Sequence, residues 1–164
     1  MCSSDLTSRY PSGGTLAGTA TVAASAGVAT FANLSIDKVG TGYTLTATGA
    51  GSATSTAFNI TAGTATQLVF SVQPSTTSAG AAITPAVQVT ALDASNNTAT
   101  GFTGNVTVAI GTNPSGGTLA GTATVAASAG VATFANLSID KAGPGYTLTA
   151  TGAGSVTKIG RAHV

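Results

Sequence analysis

The stretch SGGTLAGTATVAASAGVATFANLSIDK begins at Ser12 and begins again at Ser115, a period of 103 residues in a chain of 164. From Ser12 to Thr54 and from Ser115 to Thr157 the two copies align over 43 positions and differ at three: Val39 against Ala142, Thr41 against Pro144, and Ala53 against Val156. A period this long narrows the architecture sharply. Solenoid repeats of roughly 20 to 50 residues cannot bury their apolar faces singly, whereas about 100 residues suffice for a self-contained two-sheet domain. The period predicts tandem domains, one partial and one nearly complete.

Inside the repeat, apolar and polar residues alternate with period two, the mark of half-buried strands, and helical periodicity is absent. Leu68, Phe70 and Val72 share one face, as do Val87, Val89 and Ala91, and again Val106, Val108 and Ile110. Further strands are expected over Thr118–Val125, Gly130–Phe134, Leu137–Ile139 and Tyr146–Ala150. In the first copy Ser55–Ile60 adds one more, with Phe58 and Ile60 inward. The intervening DASNN, ASAG, GTG and GPG supply the Asn, Gly and Pro that turns require. Seven to nine short strands in about 100 residues, without helices, indicate an all-β fold of two packed antiparallel sheets, a β-sandwich.

The residues outside the repeat differ in kind. Cys2, Arg161 and His163 lie in MCSSDL and IGRAHV, at the two ends of an almost uncharged chain. Ile-Gly-Arg-Ala-His can be written ATC GGA AGA GCA CAC, whose reverse complement, GTG TGC TCT TCC GAT, reads as a start codon followed by Cys-Ser-Ser-Asp. The two ends can thus be one DNA word translated in both directions, and the word resembles a short-read sequencing adapter. On that reading, residues 1–6 and 158–164 are adapter-derived and are set aside in reading the fold. Residues 7–63 are then the C-terminal part of a first unit, and residues 64–157 a second unit lacking its last strand. Residues 12–110 contain every strand once in permuted order. The six-residue connector Thr61–Thr66 reaches at most about 20 Å, less than the roughly 26 Å of an eight-residue strand, so a permuted closure is not expected.

Between Thr7 and Thr157, Arg9, Lys38 and Lys141 balance Asp37, Asp93 and Asp140, and there is no Glu, Cys or His. Charged residues are 5% of the chain, against about 25% in an ordinary soluble domain. Nucleic acids and anionic membranes need clustered Lys and Arg, so neither is an expected partner. No apolar run is long enough to span a bilayer as a helix. The body cannot rest on disulfides or on a Cys/His zinc site.

VQVTALDASNNTATGFTGNVTVAI followed by SGGTLAGTATVAASAGVATFANLSIDKAGPGYTLTATGAG resembles the immunoglobulin-like repeats of bacterial surface and adhesin proteins. The resemblance implies an immunoglobulin-like sandwich in tandem, and it places Tyr43 and Tyr146 where such domains often carry a tyrosine corner, a phenol bonded back to the chain. The Cys pair and core Trp of antibody domains are missing here.

Candidate chemistry is sparse. With no His, Cys or Glu in the body, general acid–base catalysis would fall to three aspartates, two of them twins in a repeat, so no catalytic residue, no cofactor and no metal ligand is assigned. Asp37-Lys38 and Asp140-Lys141 read as turn punctuation rather than catalytic pairs. Asp93 in LDASNNTATG could be imagined on calcium, but that ion takes six to eight oxygens, usually from several carboxylates, and a turn explains the residue better. Thr122-Ala-Thr124 and Thr147-Leu-Thr149 suggest strand faces rather than an ice- or sugar-binding array. The sequons at Asn33 and Asn136 carry no assigned role. The expectation is a spacer or stalk repeat without chemistry of its own, in a large extracellular or cell-surface protein of the adhesin kind, whose partners are neighbouring repeats. The alternative is a ligand- or carbohydrate-binding module appended to a secreted enzyme.

Overall fold

The computed structural model describes residues 3–9, 13–152 and 158–161, with side chains for 13–152. The chain divides into two compact units, Met1–Ala62 and Gly63–Val164. Every element among the described residues is a β-strand, so no helix there is long and apolar enough to cross a membrane.

The second unit holds β8 (Gln67–Val72), β9 (Val87–Leu92), β10 (Asn105–Ile110), β11 (Leu119–Ala120), β12 (Thr124–Ala126), β13 (Val131–Phe134), β14 (Ser138–Ile139), β15 (Thr147–Thr151) and β16 (Lys158–Arg161). One antiparallel sheet runs β12-β10-β15-β16, a second runs β13-β9-β8, and β11 pairs with β14. The expected alternation decides what is buried. Val87, Val89 and Ala91 from β9, Val106 and Val108 from β10, and Leu148 and Ala150 from β15 fall into one apolar cluster with Leu68, Leu137 and Phe134. Two antiparallel sheets therefore share one core, as in a β-sandwich.

The strand expected over Thr118–Val125 is in fact two. Leu119–Ala120 pairs with β14, whereas Thr124–Ala126 pairs with β10 in the other sheet. The chain changes partner at Gly121, whose φ of +98° favours glycine, and a Cβ there would fall on the carbonyl oxygen of Asn136. Period-two alternation continues through the step and hides it.

The first unit holds β1 (Ser3–Arg9), β2 (Leu16–Ala17), β3 (Thr21–Ala23), β4 (Ser35–Ile36), β5 (Gly40–Thr48), β6 (Ser52–Thr54) and β7 (Phe58–Ile60). Its main sheet runs β3-β1-β5-β6, with β7 also on β5, and β2 pairs with β4. β1 to β6 take the places of the second unit's β10, β11, β12, β14, β15 and β16, and among the described residues of this unit no sheet corresponds to β13-β9-β8.

Both ends of the chain pair within the sheets: Ser3–Arg9 with β3 and β5, and Lys158–Arg161 along the edge of β15. The reason is that an open edge presents a row of backbone N–H and C=O groups that extended chain of almost any sequence can satisfy. The registers show how indifferent that pairing is. Val106 lies opposite Val125 and Val108 opposite Ala150, whereas Ser4 lies opposite Val22 and Leu6 opposite Ala47. The register positions of Val106, Val108 and Ile110 are thus held in β1 by Ser4, Leu6 and Ser8, one residue out of step with the repeat. Lys158–Arg161 is displaced by two residues from the β5–β6 register, a shift that preserves the faces.

Candidate functional site

The polar side chains of the described residues are used largely on backbone. Asp93 is the most buried carboxylate, 6% exposed, at the end of β9. Its Oδ1 accepts the backbone N–H groups of Ser95 and Asn97, each at 2.9 Å, and its Oδ2 accepts that of Gly63 at 3.0 Å. The Asn97 side-chain amide donates to both oxygens, at 3.0 and 3.3 Å. This bond from the Asn97 side chain is the chief cause that holds the Asp93 carboxyl at about 2, below its ordinary 3.8; burial opposes it, and the three backbone N–H groups add to it. Asn96, at φ +61°, completes the turn.

For a cation this site has the wrong polarity. Both oxygens already face N–H donors, whose positive ends would repel calcium, and no group of three or more His, Cys, Asp or Glu comes together among the described residues. Asp93 acts as the hub of its turn and fixes Gly63, the first residue of the second unit.

Asp37 and Asp140, read as turn punctuation rather than catalytic residues, also reach across the fold. Asp140 Oδ1 accepts the Thr118 N–H at 2.6 Å, and Asp37 Oδ1 that of Thr15 at the same distance, each across 22 residues. Thr118 and Asp140 directly flank the paired residues Leu119 and Ile139. The carboxylate extends the β11–β14 ladder where the backbone ladder ends, and β2–β4 is extended in the same way.

Asn33 and Asn136, dismissed as chance sequons, do structural work. Asn136 Oδ1 accepts the Thr122 N–H at 2.9 Å and its Nδ2 donates to Thr122 Oγ1 at 3.2 Å; Asn33 makes the same two bonds to Thr19. Each amide clamps the step where the chain leaves one sheet for the other. The available signal was the pairing of an exposed Asn with a Gly-Thr step 15 residues earlier in both copies.

Tyr43 and Tyr146 are both fully buried, but their hydroxyls differ. Tyr43 Oη donates to the Lys38 carbonyl at 2.9 Å, the return bond expected of a tyrosine corner. Tyr146 Oη has no partner among the described residues. The copies diverge beside it. Pro144 stands where Thr41 lies within β5, and β15 begins only at Thr147, whereas β5 begins at Gly40. The early part of β5 is paired with β7, Gly40 opposite Ile60 and Tyr43 opposite Phe58, and Pro144 in the second copy has no N–H to give to such a ladder.

The threonines line up in short rows across three strands in each unit. Thr107 faces Thr124 on one side and Thr151 on the other, with Thr107 and Thr124 hydroxyls 2.9 Å apart, while Thr149 faces Ala109 and Ile159. In the first unit Thr46 stands in register between Thr7 and Thr54, with the Thr46 and Thr54 hydroxyls 3.2 Å apart.

No protein-family model and no curated protein matches the chain.

Proposed function

We propose that the chain is made of immunoglobulin-like repeat modules that serve as a mechanical spacer in a large extracellular or cell-surface protein, without catalytic or cofactor chemistry of their own. The observation that carries this reading is the duplication of structural contacts. The Asp–Thr bond of 2.6 Å and the Asn–Thr clamp recur in both copies with the same partners and distances. The side chains that hold strands together are thus among what the repeat preserves. The polar groups that a catalytic or binding site would need are engaged by backbone N–H groups, as at Asp93. Neutrality and the absence of cysteine in the body suit a module whose stability comes from packed sheets alone.

The decisive experiment is a glycan-array and cell-surface binding screen of the purified chain, together with sequencing of the flanking genomic DNA. A spacer gives no saturable binding and has further copies at the same 103-residue spacing. Saturable binding to one glycan class, or a gene with no further copy, would replace the spacer with a ligand-binding module.

A further inference from the structure

Between β7, which ends at Ile60, and β8, which begins at Gln67, residues 61–66 form no strand. Most of this connecting segment is nonetheless tied to the second unit. The Gly63 N–H donates to Asp93 Oδ2 at 3.0 Å, and the Thr66 N–H to the Leu92 carbonyl at 2.8 Å. Ala65 packs against the core of that unit. The Gln67 side-chain amide donates to the Asp93 carbonyl at 3.3 Å and to Asn96 Oδ1 at 3.4 Å. Residues 63–67 thus lie along the turn at residues 93–97.

The turn itself needs only one carboxylate oxygen. The Asp93 N–H donates to the Asn97 carbonyl at 2.9 Å, the Asn96 N–H donates to the Asp93 carbonyl at 3.1 Å, and Oδ1 accepts the N–H groups of Ser95 and Asn97. An Asn in this place would make the same turn through its single carbonyl oxygen. The second oxygen is where Asp and Asn part. Oδ2 accepts the Gly63 N–H and the Asn97 side-chain amide. Were an NH2 group there instead, the Asn97 amide could turn its own oxygen toward it, but the Gly63 N–H can only donate. What a carboxylate adds over a carboxamide therefore falls on Gly63, 30 residues earlier in the chain. Crowding does not demand glycine there, since a Cβ would meet Asp93 Cβ at 3.6 Å, an ordinary contact.

We propose that the Asp93 turn is a capture site for the connecting segment, a clasp that takes residues 63–67 out of the linker and leaves Thr61 and Ala62 as the tether between consecutive repeats. Its use rests on the spacer reading: the reach that a spacer gains at each junction is set by the residues free to extend, about 3.3–3.6 Å apiece. Captured, the tether is two residues and reaches about 7 Å. With the Gly63 bond lost, residues 63–65 join it up to the Thr66 N–H, and five residues reach about 17 Å. A hydrogen bond from a backbone N–H to a carboxylate is of the strong, charge-assisted kind, and Asp93 offers it from a side chain that is 6% exposed. One carboxylate oxygen thus decides the length of the joint.

The test is residue-resolved amide hydrogen exchange and 15N relaxation on the full-length chain and on Asp93→Asn, Gly63→Pro and Gly63→Ala. In the unaltered chain the Gly63 amide is expected to exchange at least tenfold more slowly than those of Thr61 and Ala62, with nanosecond motion confined to those two residues. Asp93→Asn should speed Gly63 exchange at least tenfold and spread that motion through residues 63–65, while the core amides of Ile83 and Val108 stay protected. Gly63→Pro, which has no N–H to give, should spread the motion to Thr64 and Ala65 with Asp93 untouched. Gly63→Ala, which keeps its N–H, should match the unaltered chain. If Asp93→Asn also exposes Ile83 and Val108 to exchange, Gly63→Pro decides alone. A Gly63 amide as fast as Thr61 in the unaltered chain would overturn the proposal, and so would Thr64 and Ala65 remaining as rigid in Gly63→Pro as in Gly63→Ala. Saturable ligand binding would remove the spacer reading and leave these amides as they are, so the two failures are told apart.

Discussion

At the scale of single residues, two tyrosines with the same immediate neighbours have opposite hydrogen-bonding fates. The Tyr43 hydroxyl is paired, and the Tyr146 hydroxyl is buried without a partner among the described residues. A buried unsatisfied hydroxyl costs about 1–3 kcal/mol, whereas a made bond contributes about 1 kcal/mol. Tyr146→Phe should therefore stabilise the second unit by about 1 kcal/mol and Tyr43→Phe destabilise the first by a similar amount. Urea titrations read through exchange of the β15 and β5 amides separate the two effects, and a shift of the same sign in both would contradict the assignment. Asp93 sets a pH dependence. Its folded value is depressed to about 2, so its contribution is complete above the unfolded value near 4 and is lost as pH falls through the folded one. Between pH 7 and 5 this group leaves the stability of the second unit unchanged. Between about pH 4 and 2 it removes about 2 kcal/mol. Asp93→Asn should begin from a lower stability and show a flatter profile across that window in urea midpoints.

At the scale of the element, Gly27–Phe31 and Gly130–Phe134 are the same pentapeptide, GVATF. In the second unit Val131–Phe134 is a strand against β9; in the first unit Val28–Phe31 belongs to no strand. The preceding turn is the same in both, with Ala26 at φ +50° and Ala129 at φ +47°, Gly27 and Gly130 both at +82°, and reciprocal Ser–Val bonds closing each. Local sequence sets the turn, and the tertiary partner sets the strand. Amide exchange of Ala132 and Phe134 should therefore be slower than that of Ala29 and Phe31 by at least 100-fold, an estimate of order from the difference between local opening and opening of a packed strand. Comparable rates would mean that the pentapeptide forms a strand unaided. The same contrast explains what the sequence made legible. Strand type, the inward sets on β9, β10 and β15, and the turns could be read because period-two burial and Gly/Asn chemistry are local. The break at Gly121 and the roles of Asn136 and Asp140 could not. Each depends on a backbone group 14 to 22 residues away, and no periodicity records which distant N–H a side chain will meet.

At the scale of the whole molecule, the cores are unequal although the sequences are nearly equal. Among the described residues, Tyr43 is the one buried hydrophobic of Met1–Ala62, and sixteen lie in Gly63–Val164. Burial of apolar area is the dominant favourable contribution to folding, and it must exceed a conformational entropy cost of about 1–2 kcal/mol for each ordered residue. The second unit has two sheets sharing a core. The first has one main sheet and a cleft, and its β1 carries Ser4 and Ser8 at the register positions of Val106 and Ile110. Cooperative melting should therefore belong to the second unit alone. Unfolding enthalpy near 60 °C is about 0.7 kcal/mol per residue, so a transition confined to roughly 100 residues absorbs about 70 kcal/mol, whereas one engaging the whole chain absorbs about 115 kcal/mol. Scanning calorimetry at low protein concentration should give a single peak near the lower figure, while the amides of β5 lose protection gradually below it. Replacing the core residue Val89 with Ala should move that peak down by several degrees, since removing buried methyl groups costs about 1–3 kcal/mol in a packed interior. Leu45→Ala, in the half-buried twin of Leu148, should leave it in place. A peak near the higher figure that shifts with both substitutions would show that the first unit has found a covering sheet of its own.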